Sequence, residues 1–197
     1  MTACPDHSAT PSDPLQGGLL IVTGASHTGK TSVIRSLLPD LEPPVALLGV
    51  DEVLAKTLVR PRGSRWTEIP LAYDLIRRQI DSLLGHGWLV IVETTFTYVS
   101  PQGEAEFHRE VLEQMVGLAE RHNAPWFLCQ VKASLELTLK RAEQDRRLPS
   151  RIVAATVELH EIEEMPESAL TLSAEDSPPE DLAKTLAAQL PAPFSRR

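Results

Sequence analysis

The sequence predicts a three-layer α/β domain in which helices cover both faces of a parallel sheet of about five strands. Short apolar runs alternate with stretches of helical spacing along most of the 197 residues. The runs are apolar throughout rather than at every second position, which is typical of strands that are buried on both faces. They predict strands at residues 19–23, 45–50, 88–92, 126–131 and 169–172.

The helices are predicted from residue spacing and from residues that begin or end a helix. Leu71, Leu75 and Ile76 open a pattern of three- and four-residue spacing, which indicates an amphipathic helix. Ser134 offers an N-cap for the helix that follows the fourth strand. By these criteria the predicted helices span residues 30–38, 69–85, 103–121, 135–146, 150–164 and 179–190.

The chain has the length of one domain. Residues 1–17 are rich in Pro, Ser, Thr and Asp and predict a flexible N-terminal tail, so that residues 18–197 form the single domain. Residues 56–67 interrupt the pattern and predict a surface loop.

Composition excludes several classes of protein. The 19 Lys and Arg against 27 Asp and Glu give a net charge of −8, which disfavours a broad surface for nucleic acid or for an anionic membrane. No apolar run approaches the roughly 20 residues of a membrane span, and the N-terminus does not resemble a secretory signal. The two cysteines cannot form a disulfide framework, which favours a reducing cytoplasm.

The first strand leads directly into a glycine-rich segment that fits the P-loop, or Walker A, pattern G-x-x-x-x-G-K-[ST]. Glycines allow successive backbone N–H groups to point into one cavity, and the N-terminus of the following helix attracts anions. Lys30 adds a charge for the β- and γ-phosphates, and the Thr31 hydroxyl can hold Mg²⁺. The predicted nucleotide-binding residues are Gly24, Ala25, Ser26, His27, Thr28, Gly29, Lys30, Thr31 and Ser32.

Acidic residues follow the second and third predicted strands. In an open parallel sheet these strand ends face one crevice, so Asp51 and Glu93 are expected near Lys30. Asp51 is a candidate for the base or orienting group of a substrate hydroxyl, or a local helix N-cap. Glu93 is a candidate for binding Mg²⁺ or the substrate, or a strand-end carboxylate bonded to loop amides. Thr95 is a weaker candidate for substrate contact.

Residues 140–151 contain an arginine-rich segment that predicts a lid over the phosphates. Arg141 and Arg147 are the catalytic candidates, and Arg151 is a further candidate for phosphate binding. The alternative is a solvent-exposed helix face. The scattered histidines do not indicate a metal site, and His160 is expected at the surface. Tyr98 borders the expected crevice and is a candidate for stacking or for ordinary packing.

Taken together, the segments 24–31, 49–51, 92–96 and 140–151 resemble a small group of P-loop kinases that includes chloramphenicol phosphotransferase and the zeta-toxin-like proteins. The resemblance runs over about residues 19–190. It implies a nucleotide-kinase-like P-loop NTPase fold, the use of ATP and Mg²⁺, and a role for Asp51 at the acceptor hydroxyl.

The expected function is therefore transfer of the γ-phosphate of ATP to a hydroxyl of a small molecule, such as an antibiotic, nucleoside or sugar derivative. One alternative acceptor is a polynucleotide 5′-hydroxyl or a nucleotide sugar, for which Arg60, Arg62 and Arg65 of the 56–67 loop could form a local groove. The other alternative is an ATP-binding module without catalysis.

Overall fold

A computed structural model of the chain describes residues 17–41, 44–57, 68–99, 105–145, 149–163, 165–175, 177–191 and 194. The strands are β1 Gly18–Thr23, β2 Val45–Gly49, β3 Leu89–Glu93, β4 Thr97–Val99, β5 Ala105–Phe107, β6 Trp126–Lys132 and β7 Leu170–Ser173. The helices are α1 Lys30–Leu37, α2 Val50–Glu52, α3 Ile69–Gly85, α4 Arg109–Arg121, α5 Leu135–Asp145, α6 Ser150–Ile162 and α7 Pro179–Gln189.

The main sheet is parallel and contains five strands in the order β2-β3-β1-β6-β7. Strand β1 lies in the centre, where Leu20 pairs with Ile91 of β3 and with Phe127 of β6. The direction in which strands are added to the sheet changes beside β1, because β2 and β3 lie on one side of it and β6 and β7 lie on the other. Ligands bind at such a change of direction, outside the carboxyl ends of the strands. The fold class predicted from the sequence is confirmed.

Two apolar cores hold the layers together. On one face of the sheet, Ile76 and Ile80 of α3 pack with Met115 of α4, and all three are 0% exposed. On the other face, Ile34 of α1 and Leu186 of α7 are equally buried. Because the central strands contact both cores, their sequences are largely apolar at successive positions, as expected for a parallel sheet.

The prediction of a helix over residues 103–121 is wrong at its beginning. Helix α4 starts only at Arg109, and Ala105–Phe107 forms strand β5, which pairs with β4 as an antiparallel hairpin. Phe107 packs against the buried ring of Phe96 at a centroid distance of 6.0 Å. The backbone N–H of His108 donates to the Phe96 carbonyl at 2.7 Å. These tertiary contacts outweigh local helix propensity.

Several predicted segments lie outside the described residues. They are residues 1–16 of the tail, residues 58–67 of the predicted surface loop, and residues 146–148 of the arginine-rich segment. Gly17, which the sequence assigns to the tail, is buried. None of the described helices is long and apolar enough to cross a membrane.

Candidate active site

The glycine-rich loop joins β1 to α1 at the centre of the sheet edge. Gly24 has a φ of 143°, and a Cβ at this position would lie 2.2 Å from the Val131 carbonyl oxygen, so only glycine fits. Gly29 has a φ of 104°. His27 also has a positive φ, 63°, which costs free energy in a residue with a Cβ. The strained backbone is typical of a functional site.

The amides at the start of α1 are available to an anion. The first N–H groups of a helix have no intrahelical acceptor, and those of Gly29, Lys30 and Thr31 donate no backbone hydrogen bond within the described part of the chain. The amide of Ser32, by contrast, donates to the Gly29 carbonyl at 3.0 Å. The positive end of the helix dipole therefore faces the loop together with three N–H groups.

Lys30 is only 6% exposed, and its ammonium donates to the Gly24 carbonyl at 2.9 Å and to the Ala25 carbonyl at 2.8 Å. Burial lowers the pKa of Lys30, while the negative charges of Glu93 and Asp51 act in the opposite direction. The structure thus brings Lys30, Asp51 and Glu93 to one place, as the sequence predicts.

Glu93 and Thr31 form the second feature of the site. The Thr31 hydroxyl donates to Glu93 Oε1 at 2.5 Å, across the gap between α1 and the end of β3. Glu93 is therefore bonded to the hydroxyl of the loop. A hydroxyl and a carboxylate are hard oxygen ligands of the kind that Mg²⁺ takes, with water and phosphate oxygens completing its octahedron. The described residues contain no cluster of three or more His, Cys, Asp or Glu that would hold a metal without such help.

Asp51 lies in the first turn of the short helix α2 and is exposed. Burial lowers the pKa of Lys30 and raises that of Tyr73; the charge of Asp51 opposes the first shift and adds to the second. The N-cap of α2 is Gly49, with no side-chain capping bond, so the sequence alternative of a capping aspartate is wrong. Asp51 is thus near enough to Lys30 and Tyr73 for its charge to act on both.

Arg141 of α5 contacts the glycine-rich loop. Its Nη1 donates to the Thr28 carbonyl at 2.9 Å and to the His27 carbonyl at 3.3 Å. For this residue the alternative of a solvent-exposed helix face is wrong. Arg147 lies outside the described residues, and Arg151 is exposed near the beginning of α6. Phosphate contact by these two arginines stays a prediction.

A cavity of about 390 Å³ opens between α3, the β4–β5 hairpin and the beginning of α4. The Tyr73 hydroxyl in its wall lies 3.1 Å from Thr94 Oγ1, which also accepts the Phe96 N–H at 3.1 Å. Burial raises the pKa of Tyr73 to about 12, so the phenol stays protonated. The walls are formed by Ile69, Pro70, Tyr73, Arg77, Tyr98, Glu106, His108, Glu110, Val111 and Gln114.

Other side chains of the site differ from the sequence expectations. Tyr98 does border the crevice, but it lies in β4 rather than in a loop. Thr95 Oγ1 accepts the Thr97 N–H at 3.3 Å, and contact with a substrate stays a prediction. The expectation of a surface position for His160 is wrong, because it is 3% exposed and its Nε2 lies 2.8 Å from the Thr95 carbonyl oxygen. Its spacing from buried Val153 and Thr156 indicates the buried face of α6.

A strand, a glycine-rich loop and a helix with lysine and threonine at its start define a P-loop nucleotide-binding domain. A family model described as an AAA domain matches residues 19–169. The chain belongs to this family, which confirms the P-loop kinship expected from the sequence. A comparison with curated proteins gives no match.

Three solved structures show the extent of the structural similarity. The tunicamycin resistance protein of Deinococcus radiodurans has a TM-score of 0.64 at 14% identity, over 92% of this chain and 99% of that one. The APS kinase of Mycobacterium tuberculosis, solved with AMPPNP and APS, has a TM-score of 0.56 at 17% identity, with 88% and 96% covered. A gluconokinase of Sinorhizobium meliloti 1021 has a TM-score of 0.56 at 13% identity, with 88% and 91% covered. At these identities the similarity shows the fold, and family membership implies the use of a nucleotide.

Proposed function

We propose that the protein is a phosphotransferase that moves the γ-phosphate of ATP to a hydroxyl of a small molecule held in the 390 Å³ cavity. The observation that supports this proposal is the position of Asp51. Its charge acts both on Lys30 of the phosphate loop and on Tyr73, which lies in the cavity wall. A group in that position can act on an acceptor hydroxyl beside the terminal phosphate.

On the nucleotide side, the loop amides and Lys30 would bind the β- and γ-phosphates. Lys30 exchanges its bonds to the Gly24 and Ala25 carbonyls for bonds to phosphate oxygens. Thr31 and Glu93 would hold Mg²⁺, which neutralises phosphate charge when it is bound. Arg141 is already tied to the loop and can move onto the transferred group, and Arg147 and Arg151 are proposed to act with it.

On the acceptor side, Asp51 would orient the hydroxyl and accept its proton as the oxygen attacks phosphorus. Tyr73 keeps its proton and therefore donates or orients hydrogen bonds rather than acting as a base.

The cavity walls support a small hydroxylated ring compound as the acceptor. The rings of Tyr98 and His108 lie edge to face at a centroid distance of 6.2 Å and present aromatic surface, which packs well against a sugar or a nucleoside. Glu106 and Glu110 offer carboxylate oxygens that accept hydrogen bonds from hydroxyl groups. The volume is within the range of small-molecule sites. An antibiotic, a nucleoside and a sugar derivative all meet this description.

The proposal is tested by incubating the protein with labelled ATP and a metabolite extract, followed by mass identification of the phosphorylated product. Single-turnover transfer to that product is then measured for Asp51→Asn. We expect a fall of roughly 100- to 1,000-fold with ATP affinity unchanged, because general-base contributions are of this order.

Glu52→Gln is the matched control, because Glu52 is the next residue and pairs with Lys56 at 3.1 Å. It should transfer phosphate at the wild-type rate. If Asp51→Asn transferred phosphate at the wild-type rate, the proposed role of Asp51 at the acceptor hydroxyl would be excluded. ATP binding without transfer to any compound in the extract would favour a non-catalytic module, and steeply salt-dependent transfer to a polynucleotide end would favour the alternative acceptor.

A further inference from the structure

His160 has no role in the function proposed above, yet it lies between the nucleotide loop and the acceptor cavity. It belongs to α6 and forms part of the wall of a second cavity of about 210 Å³, together with Ala25 and Thr28 of the loop. Its ring also lies edge to face on Phe107 of the hairpin, at a centroid distance of 5.6 Å. One side chain therefore contacts elements on both sides of the site.

The hydrogen bonds of the ring fix its protonation. Nε2 lies 2.8 Å from the Thr95 carbonyl oxygen, which can only accept, so Nε2 carries the proton. Nδ1 then accepts from the side-chain amide of Gln130 at 3.4 Å. Burial, with the charge of Lys30 as the next cause, lowers the pKa of His160 to about 4. The ring is consequently neutral near pH 7 and donates one bond in a fixed direction.

The acceptor of that bond belongs to the segment 93–96, which carries the proposed metal ligand. Thr95 is two residues beyond Glu93, and the intervening Thr94 is bonded to Tyr73 of α3. The segment then turns at Phe96, which has a positive φ of 52°. Thus the chain after Glu93 is held from α3 on one side and from α6 on the other.

We propose that His160 is a positioning residue, whose bond to the Thr95 carbonyl holds Glu93 against Thr31 and so sets the affinity for the Mg²⁺ form of the nucleotide. Some residues do not bind a metal themselves but orient its ligands, and replacing them commonly lowers the metal affinity by about 10- to 100-fold. The inference rests on the proposed role of Glu93 as a metal ligand. It does not depend on the identity of the acceptor.

The test measures the affinity for a non-hydrolysable ATP analogue by calorimetry, once with excess Mg²⁺ and once with EDTA. His160→Phe keeps a ring against Phe107 but removes both hydrogen bonds. We expect it to weaken binding about tenfold with Mg²⁺ and to change it less than twofold with EDTA. His160→Gln keeps an N–H donor and should recover most of the loss.

Val157→Ala is the matched control, since Val157 lines the same cavity from the same helix without contributing a side-chain hydrogen bond. It should lower the melting temperature and leave the Mg²⁺ dependence unchanged. Gln130→Met, which removes the second partner of the ring, should give a smaller loss in the same direction and replaces His160→Phe if that variant does not fold.

Two outcomes distinguish this inference from the proposed function. Equal affinities of wild type and the folded His160 or Gln130 variant with Mg²⁺ would overturn the positioning role and leave the kinase proposal intact. A wild-type protein that binds no nucleotide under either condition would overturn both.

Discussion

The nucleotide side and the acceptor side of the site are built in different ways. The nucleotide side consists of the consecutive residues 24–32, and its binding groups are mostly backbone amides positioned by glycine geometry and by one helix end. The acceptor side consists of side chains from α3, the β4–β5 hairpin and α4, which are far apart in the sequence. A site formed by backbone can keep one ligand while the side chains opposite it change. We therefore expect the choice of phosphate donor to follow from the fold, and the choice of acceptor to depend on the side chains of this chain.

The largest expected effect comes from the nucleotide side. Lys30→Met should reduce phosphate transfer by about 1,000-fold, because a fixed positive charge at the transferred group is lost. The reduction should be the same for every acceptor that the protein accepts. Rates with two or more acceptors check this point, and Lys56→Met, an exposed lysine paired with Glu52, is the control. If the loss of transfer rate varied strongly between acceptors, the nucleotide side and the acceptor side would not act independently.

A second effect concerns His160, where the two sides meet. Because its pKa is lowered to about 4 in the folded protein, the unfolded chain binds the extra proton first as the pH falls. The contribution of the neutral His160 ring to the free energy of unfolding is therefore complete above pH 6.5 and is lost as the pH falls toward 4. Between about pH 7.5 and pH 5 the wild type should lose roughly 2 kcal/mol more than His160→Gln.

Urea unfolding at several pH values measures this difference, since other acid-sensitive groups are common to both proteins. Parallel pH profiles of wild type and His160→Gln would show that folding does not lower the pKa of the imidazole. Burial would then not keep the ring neutral below pH 6.5, contrary to the description above.

The smallest expected effect is the most direct test of whether the acceptor side acts independently of the nucleotide side. Tyr98→Ala removes aromatic surface from the cavity wall and should raise the KM for the acceptor by about tenfold, as the loss of roughly 1.4 kcal/mol implies. The KM for ATP should stay the same, because the cavity lined by Tyr98 is not lined by any residue of the glycine-rich loop. Steady-state kinetics with each substrate varied in turn provide the measurement. An equal change in both constants would mean that the cavity and the loop are coupled.

The same contrast explains what the sequence could predict. The strands, the glycine-rich loop and the convergence of Asp51 and Glu93 near Lys30 follow from local patterns and from the rule that parallel strands end at one edge. The pairing of Thr31 with Glu93 agrees with the predicted metal ligands, although they are 62 residues apart. Here local pattern and topology were sufficient.

The acceptor side depends on contacts that leave little local signal. The hairpin has strands of only three residues, and the Glu and Ala residues before Arg109 have high helix propensity. Tyr73 fits an ordinary apolar helix face, and only the tertiary structure brings its hydroxyl to Thr94. The burial of His160 is harder to predict from residue type, because histidine is intermediate between buried and exposed residues, and only the spacing along α6 indicates it.

The bonds of Lys30 to the carbonyls of Gly24 and Ala25 have a consequence for the choice of anion. A buried ammonium gives up these two neutral acceptors only for a partner that replaces both and also supplies negative charge. A single small anion at the helix end can use the amides without reaching the lysine, whereas a chain of phosphates extends to both. The loop thereby discriminates by ligand length, and inorganic phosphate or sulfate should compete poorly with the nucleotide even at high concentration.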